Sequence, residues 1–128
     1  MRILLDTCTF LWLVTDAPAL SQHARSVFAE GENEVYLSAV STWEIAIKHT
    51  LGRLPLPAVP EQYVPDQRAK HDIAFLPLQE EATLSLKRLP QIHKDPFDRM
   101  LVCQALVHDL VILTPDPLIS QYLVNTVW

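Results

Sequence analysis

Short apolar runs that end in a polar or acidic residue and give way to a helical pattern recur along the chain, and this alternation constrains the fold more than any other feature. Arg2-Ile3-Leu4-Leu5 ends in Asp6-Thr7, and Thr9 to Val14 then starts a helix with Thr7 or Thr9 as its cap. Ser21 is placed to cap a second helix through Val27 and Phe28, which Gly31 stops. Val35-Tyr36-Leu37 reads as a strand, Ser38 as the cap of a helix over Ala39 to Leu51, and Gly52 as its terminating glycine. Later come a strand at Ile73 to Leu76, a short helix at Glu80 to Lys87 and a helix opened by Asp95-Pro96 that runs to about His108. A strand at Leu110 to Leu113, ending at Thr114-Pro115-Asp116, a short helix and a last strand at Val124 to Val127 complete the pattern.

Apolar strands alternating with helices predict an α/β fold, with a mostly parallel central sheet flanked by helices on both faces. The chain has 128 residues, 49% of them hydrophobic, enough for one substantial core, so residues 1–128 are expected to form one domain. Leu54-Pro55-Leu56-Pro57-Ala58-Val59-Pro60 cannot be regular helix and is read as a surface excursion, leading into a helical stretch around Glu61 to Lys70 whose continuity Pro65 leaves open. Its apolar groups are either contacts for a partner or part of a plain connection.

No run is long enough for a membrane span, since Phe10 to Val14 is far shorter than about 20 residues, and the N-terminal pattern is not that of a signal peptide. Cys8 and Cys103 have neither zinc-site nor disulfide spacing and are expected to be reduced, buried thiols of a cytoplasmic protein. The net charge of -5 argues against a broad basic face for nucleic acid. That objection weakens if several acids are metal ligands, because two divalent cations would cancel about four negative charges.

Four acids stand out by position. In open α/β sheets ligands sit beyond the carboxyl ends of the strands, where Asp6 and Asp116 fall. Glu44 lies on the stripe of Val40, Ile47 and Leu51, and Asp98 shares a face with Leu101, Val102 and Ala105. Each has an ordinary alternative. Glu44 could be a surface residue paired with Lys48, Asp98 a first-turn acid beside an Asp95 cap, and Asp6 and Asp116 cap or turn residues. Together, however, all four would gather at one edge of the sheet. Two carboxylates about 4 Å apart repel by roughly 4 kcal/mol at an effective dielectric near 20, so such a cluster needs protons, basic partners or cations. Oxygen-only ligands select hard ions such as Mg²⁺ or Mn²⁺.

The segments Leu4-Leu5-Asp6-Thr7 with Leu11-Trp12, Ser41-Thr42-Trp43-Glu44-Ile45-Ala46-Ile47-Lys48, His93-Lys94-Asp95-Pro96-Phe97-Asp98-Arg99, Gln104-Ala105 and Thr114-Pro115-Asp116-Pro117 resemble the PIN-domain nucleases, and within them the VapC-type toxins of bacterial toxin-antitoxin pairs. The resemblance covers nearly the whole chain in order. It implies that Asp6, Glu44, Asp98 and Asp116 are the acids of a Mg²⁺- or Mn²⁺-dependent endoribonuclease, with Asp95 a candidate fifth. It also implies a homodimer and a cognate antitoxin that covers or enters the site. Cys8 departs from the histidine that close relatives often carry there, which bears on an accessory contact.

In the mechanism these residues suggest, Asp6, Asp98 and Asp116 bind the cation while Glu44 adds a ligand or orients water. Thr7 and Thr114 either hydrogen-bond these acids or serve ordinary cap and turn roles. His93 and Arg99 either contact phosphate or are solvated. Among rivals, a phospho-receiver signalling domain needs adjacent acids after the first strand and a lysine after a late one, where this chain has Asp6-Thr7 and Thr114-Pro115. A phosphatase with a nucleophilic aspartate would place a second acid where Cys8 stands. A non-catalytic binding protein that keeps the fold is the other rival.

Overall fold

A computed structural model describes residues 1–128. Its centre is a five-stranded, wholly parallel sheet in the order β3-β2-β1-β4-β5, formed by β1 (Arg2–Leu5), β2 (Glu34–Ser38), β3 (Ala74–Leu76), β4 (Val111–Leu113) and β5 (Thr126–Val127). Six helices surround it: α1 (Thr7–Thr15), α2 (Gln22–Ala29), α3 (Ala39–Thr50), α4 (Pro60–Lys70), α5 (Glu80–Leu84) and α6 (Pro96–His108). No helix is long and apolar enough to cross a membrane.

The inner strands β1, β2 and β4 are buried on both faces, as expected of a parallel sheet, and successive residues therefore enter different cores. Ile3 and Leu5 of β1 join Phe10, Leu13, Val35, Leu37 and Leu113 on one side, whereas Leu4 joins Leu101, Val102 and Ile112 on the other. The chain runs from β1 outward through β2 to β3, then returns to the other flank of β1 for β4. The order of strands thus reverses between β1 and β4, and in sheets of this kind ligands sit beyond the carboxyl ends of the strands at such a switch.

Local chemistry explains most boundaries. Ser21 accepts from the Ala24 N–H at 3.0 Å and Ser38 from the Val40 N–H at 2.9 Å, so both expected caps form. Ser38 also donates to Gln104, whose amide in turn donates to the Pro77 carbonyl at 3.2 Å, tying the ends of β2 and β3 to α6. Gly52 has φ +72°, and the Arg53 N–H reaches back to the Lys48 carbonyl at 2.9 Å, which closes α3 in the manner glycine favours.

Several details of the sequence reading are corrected or resolved by the structure. Asp6, not Thr7 or Thr9, caps α1 and accepts from the Thr9 N–H at 2.8 Å. Pro65 does not interrupt α4, because it removes one donor while buried Tyr63 and Val64 hold the helix to the domain. The segment before α4 is only partly a surface excursion, since Leu54 and Leu56 pack against the first core. The final strand is shorter than expected, and the helices after Leu84 and Asp116 are single 3-10 turns, Ser85–Arg88 and Ile119–Gln121.

Candidate active site

Parallel register sets the site. Leu5 pairs with Leu113, so Asp6 and Thr114 emerge side by side at the carboxyl edge. The Thr114 hydroxyl donates to Asp6 Oδ2 and accepts from the Asp116 N–H at 3.1 Å, linking the two strand-end acids through one side chain. Asp6 is only 5% exposed, and burial raises its carboxyl above the ordinary carboxylate value against the lowering effect of the Thr114 and Thr9 hydrogen bonds.

Glu44, also 5% exposed, enters from α3. The buried residues of that helix are Val40, Ser41, Glu44 and Ile45, whereas Leu51 is exposed, so the buried face is rotated from the Val40-Ile47-Leu51 stripe. Glu44 can only accept, and so takes the single Thr7 hydroxyl proton at 2.7 Å, while Ser41 Oγ lies 3.0 Å from that hydroxyl. Its other oxygen pairs with Lys48, and this hydrogen bond raises the lysine above its ordinary value. The two readings of Glu44 therefore combine, since it is buried in the site and paired with Lys48.

Asp98 lies in the first turn of α6, behind the Asp95 cap whose Oδ1 accepts from the Phe97 N–H at 2.9 Å. With its side chain 17% exposed, Asp98 is pushed up to about 7, first by burial and then by the negative charges of Asp95 and Glu44, with His93 acting in the opposite direction. Asp116 meets the Leu118 N–H at 2.8 Å through Oδ1.

His93 joins these last two acids. Its Nδ1 accepts from the Asp95 N–H at 3.1 Å, which places the ring proton on Nε2. That nitrogen lies 2.9 Å from Asp116 Oδ2 and 3.1 Å from Asp98 Oδ2, and the three groups lie within 4.8 Å of one another. The Tyr122 hydroxyl accepts from the His93 N–H at 2.8 Å, and Arg99 fixes the same loop through the Pro90 carbonyl at 2.9 Å. His93 is thus part of the acid cluster and not a solvated loop residue, while Arg99 is a buried clamp.

The four acids belong to one chain of contacts, from Lys48 through Glu44 and Thr7 to the adjacent Asp6, then through Thr114 to Asp116 and through His93 to Asp98. Cys8, exposed contrary to expectation, feels the same acids, and partial burial with the charges of Asp6 and Glu44 pushes its thiol up to about 11. Thr7 and Thr114 hold acids by hydrogen bonds, one of the two roles the sequence left open for each. Nothing in the spacing of His93 showed which acids its ring would bridge.

The donor set suits a hard cation, because oxygen ligands predominate and Asp98 carries repulsion that His93 and Lys48 do not fully relieve. Asp98 and Asp116, with side chains 17% and 28% exposed, give the cluster its face on solvent. A surface cavity of about 500 Å³, lined by Arg88, Leu89, Leu106 and Tyr122 among others, contains none of the four acids.

A sequence profile of the PIN domain matches residues 3–122. The chain belongs to the PIN domain family. This PIN domain is 46% identical over 43 residues to ribonuclease VapC16 of Mycobacterium tuberculosis, a stretch that spans 34% of the chain and 30% of that relative. VapBC2 of Rickettsia felis bound to a fragment of promoter DNA has a chain of similar fold, with a TM-score of 0.68 and 11% identity, covering 99% of this chain and 98% of that one. VapBC-1 of nontypeable Haemophilus influenzae gives 0.64 at 18% identity, covering 99% and 97%. At such identities the two likenesses speak for the fold.

Proposed function

We propose that this PIN domain is a metal-dependent endoribonuclease of VapC type, the toxin of a cytoplasmic toxin-antitoxin pair. The observation that carries the reading is the continuous network joining Asp6, Glu44, Asp98 and Asp116 at the switch between β1 and β4. Asp6, Asp98 and Asp116 would hold one or two Mg²⁺ or Mn²⁺ ions, and Glu44 would complete the set or orient a water. When bound, such an ion eases deprotonation of water and stabilises the charge that develops on a phosphate during in-line attack.

The protein's own groups prepare that chemistry. Thr114 fixes Asp6, Thr7 fixes Glu44, and the Leu118 N–H fixes Asp116, so the carboxylates need little reorganisation. Lys48 offsets part of the negative charge at the Glu44 end of the network, and the His93 Nε2–H donates to the carboxylates of Asp116 and Asp98 at the other. The partly exposed Asp98 and Asp116 form the side from which a polymer would approach. The partners in this reading are a cognate antitoxin, in keeping with the VapBC complexes that contain a chain of this fold, and a second copy of the chain.

The test is incubation of partner-free protein with total cellular RNA in EDTA, Mg²⁺ or Mn²⁺, beside Asp6→Asn of matched folded content. Cleavage should require the divalent ion and vanish in the variant. Cleavage indifferent to both would overturn the carboxylate mechanism, and metal binding without cleavage would favour a non-catalytic partner-binding role.

A further inference from the structure

The acid network leaves out a neighbouring aromatic pair. Trp43 is 59% exposed, an unusual position for so large an apolar ring. It is nonetheless held in place, because its ring meets Phe97 edge to face with centroids 5.1 Å apart and planes at 78°, and Phe97 packs against the second core. The other two tryptophans, Trp12 and Trp128, lean on each other and on the first core.

The pair's place follows from the sequence. Trp43 directly precedes Glu44 on α3, and Phe97 directly precedes Asp98 on α6, so both rings ride on the helical turns that carry two of the acids. A base flanking a phosphate held at those acids would meet the exposed indole on the same two helices. Charge favours such a contact. The chain carries a net charge of -5, and of the lysine and arginine side chains on α3 and α6, Lys48 is engaged by Glu44 and Arg99 is buried, so neither is free to hold a phosphate beside the acids. Stacking on an aromatic face needs no positive charge and accepts any base that is not paired in a duplex.

Resting on the nuclease reading, we propose that Trp43, braced by Phe97, is the stacking platform for an unpaired nucleobase beside the scissile phosphate of single-stranded RNA. The platform binds a base face and leaves base edges unread. It therefore favours unpaired segments over helices and contributes little base preference.

The test combines Trp43→Ala and Trp43→Phe with a short single-stranded oligoribonucleotide whose cleaved bond has been located. Single abasic nucleotides are placed in turn on either side of that bond, and kcat/KM is measured for each pair of protein and RNA. One abasic position should lower the wild-type value by about tenfold, and Trp43→Ala should lower it on intact RNA by a similar factor. The same abasic position should then cost the alanine variant almost nothing further, while Trp43→Phe retains most of the wild-type efficiency. An unchanged kcat/KM in Trp43→Ala, or an abasic penalty of the same size in both proteins, overturns the proposal and leaves the nuclease reading intact. So does a Trp43→Ala variant that cuts RNA normally but escapes its antitoxin, because the ring would then serve a protein partner. A wild-type protein that cuts no RNA overturns both.

Discussion

Asp98 is the acid whose burial should be measurable in stability. Its folded pKa of about 7 lies above the ordinary value of 3.8, so the native state binds this proton more tightly than the unfolded chain does. The stability contributed by the protonated group is complete below pH 3.8 and is lost as pH rises through the window from 3.8 to about 7. At about 1.4 kcal/mol per pH unit, ionising the native carboxyl costs up to about 4 kcal/mol by pH 8, a large share of a typical domain's 5–15 kcal/mol. Asparagine keeps the shape and the acceptor oxygen facing His93 but carries no charge. Asp98→Asn in EDTA should therefore be more stable than wild type at pH 8, by about 2–4 kcal/mol, with the difference vanishing near pH 4. Urea unfolding at a series of pH values measures it, through midpoints at unchanged slope. Divalent cation should reverse the order at pH 8, since only the wild-type carboxylate gains a counter-charge. A variant that is less stable by the same amount at pH 4 and pH 8 would refute the reasoning, because the carboxylate would then act as an ordinary stabilising acceptor.

Other substitutions probe the network from different ends. His93→Ala leaves Asp98 and Asp116 without their shared donor and should cost about 1–3 kcal/mol without metal. Because a cation would take over that role, Mn²⁺ should raise the melting temperature of the variant more than that of wild type, and an equal rise in both would count against the bridge. Thr114→Val removes the hydroxyl that donates to buried Asp6 and should cost about 1–3 kcal/mol in urea unfolding at pH 7, a cost that a structurally neutral hydroxyl would not produce. Cys8, at about 11 instead of the ordinary 9.0, should be alkylated at pH 8 roughly a hundredfold more slowly than a free thiol, and a normal rate would contradict the negative potential ascribed to the site.

The order of elements could be read in the sequence because each signal is local. Ser21 and Ser38 cap the helices that follow them, and Asp95-Pro96 opens α6. The four acids could be proposed together because Asp6 and Asp116 follow strand ends, Asp98 lies in the first turn of α6 and Glu44 lies on a buried face of α3, positions that a parallel sheet and its helices bring toward one edge. The hidden features depend on tertiary packing. Which hydroxyl meets which carboxylate follows from the β1-β4 register, and the persistence of α4 past Pro65 depends on the burial of Tyr63 and Val64. His93 could not be assigned because its orientation is set by the Asp95 N–H and by Tyr122, 29 residues away. Leu51, apolar and on the expected stripe, proved exposed, since one apolar side chain in a helical period does not by itself define which face meets the sheet.

The central claim is that these acids act together through a divalent cation, and the rate of RNA cleavage as a function of Mn²⁺ concentration tests it most directly. For wild type at pH 7.5 the rate should rise from the EDTA baseline to a plateau. Asp116→Asn should need at least tenfold more Mn²⁺ to reach half of its own plateau, the loss expected when a ligating carboxylate is neutralised. A half-saturating concentration that is the same in both proteins, or cleavage that persists without Mn²⁺, would contradict the account.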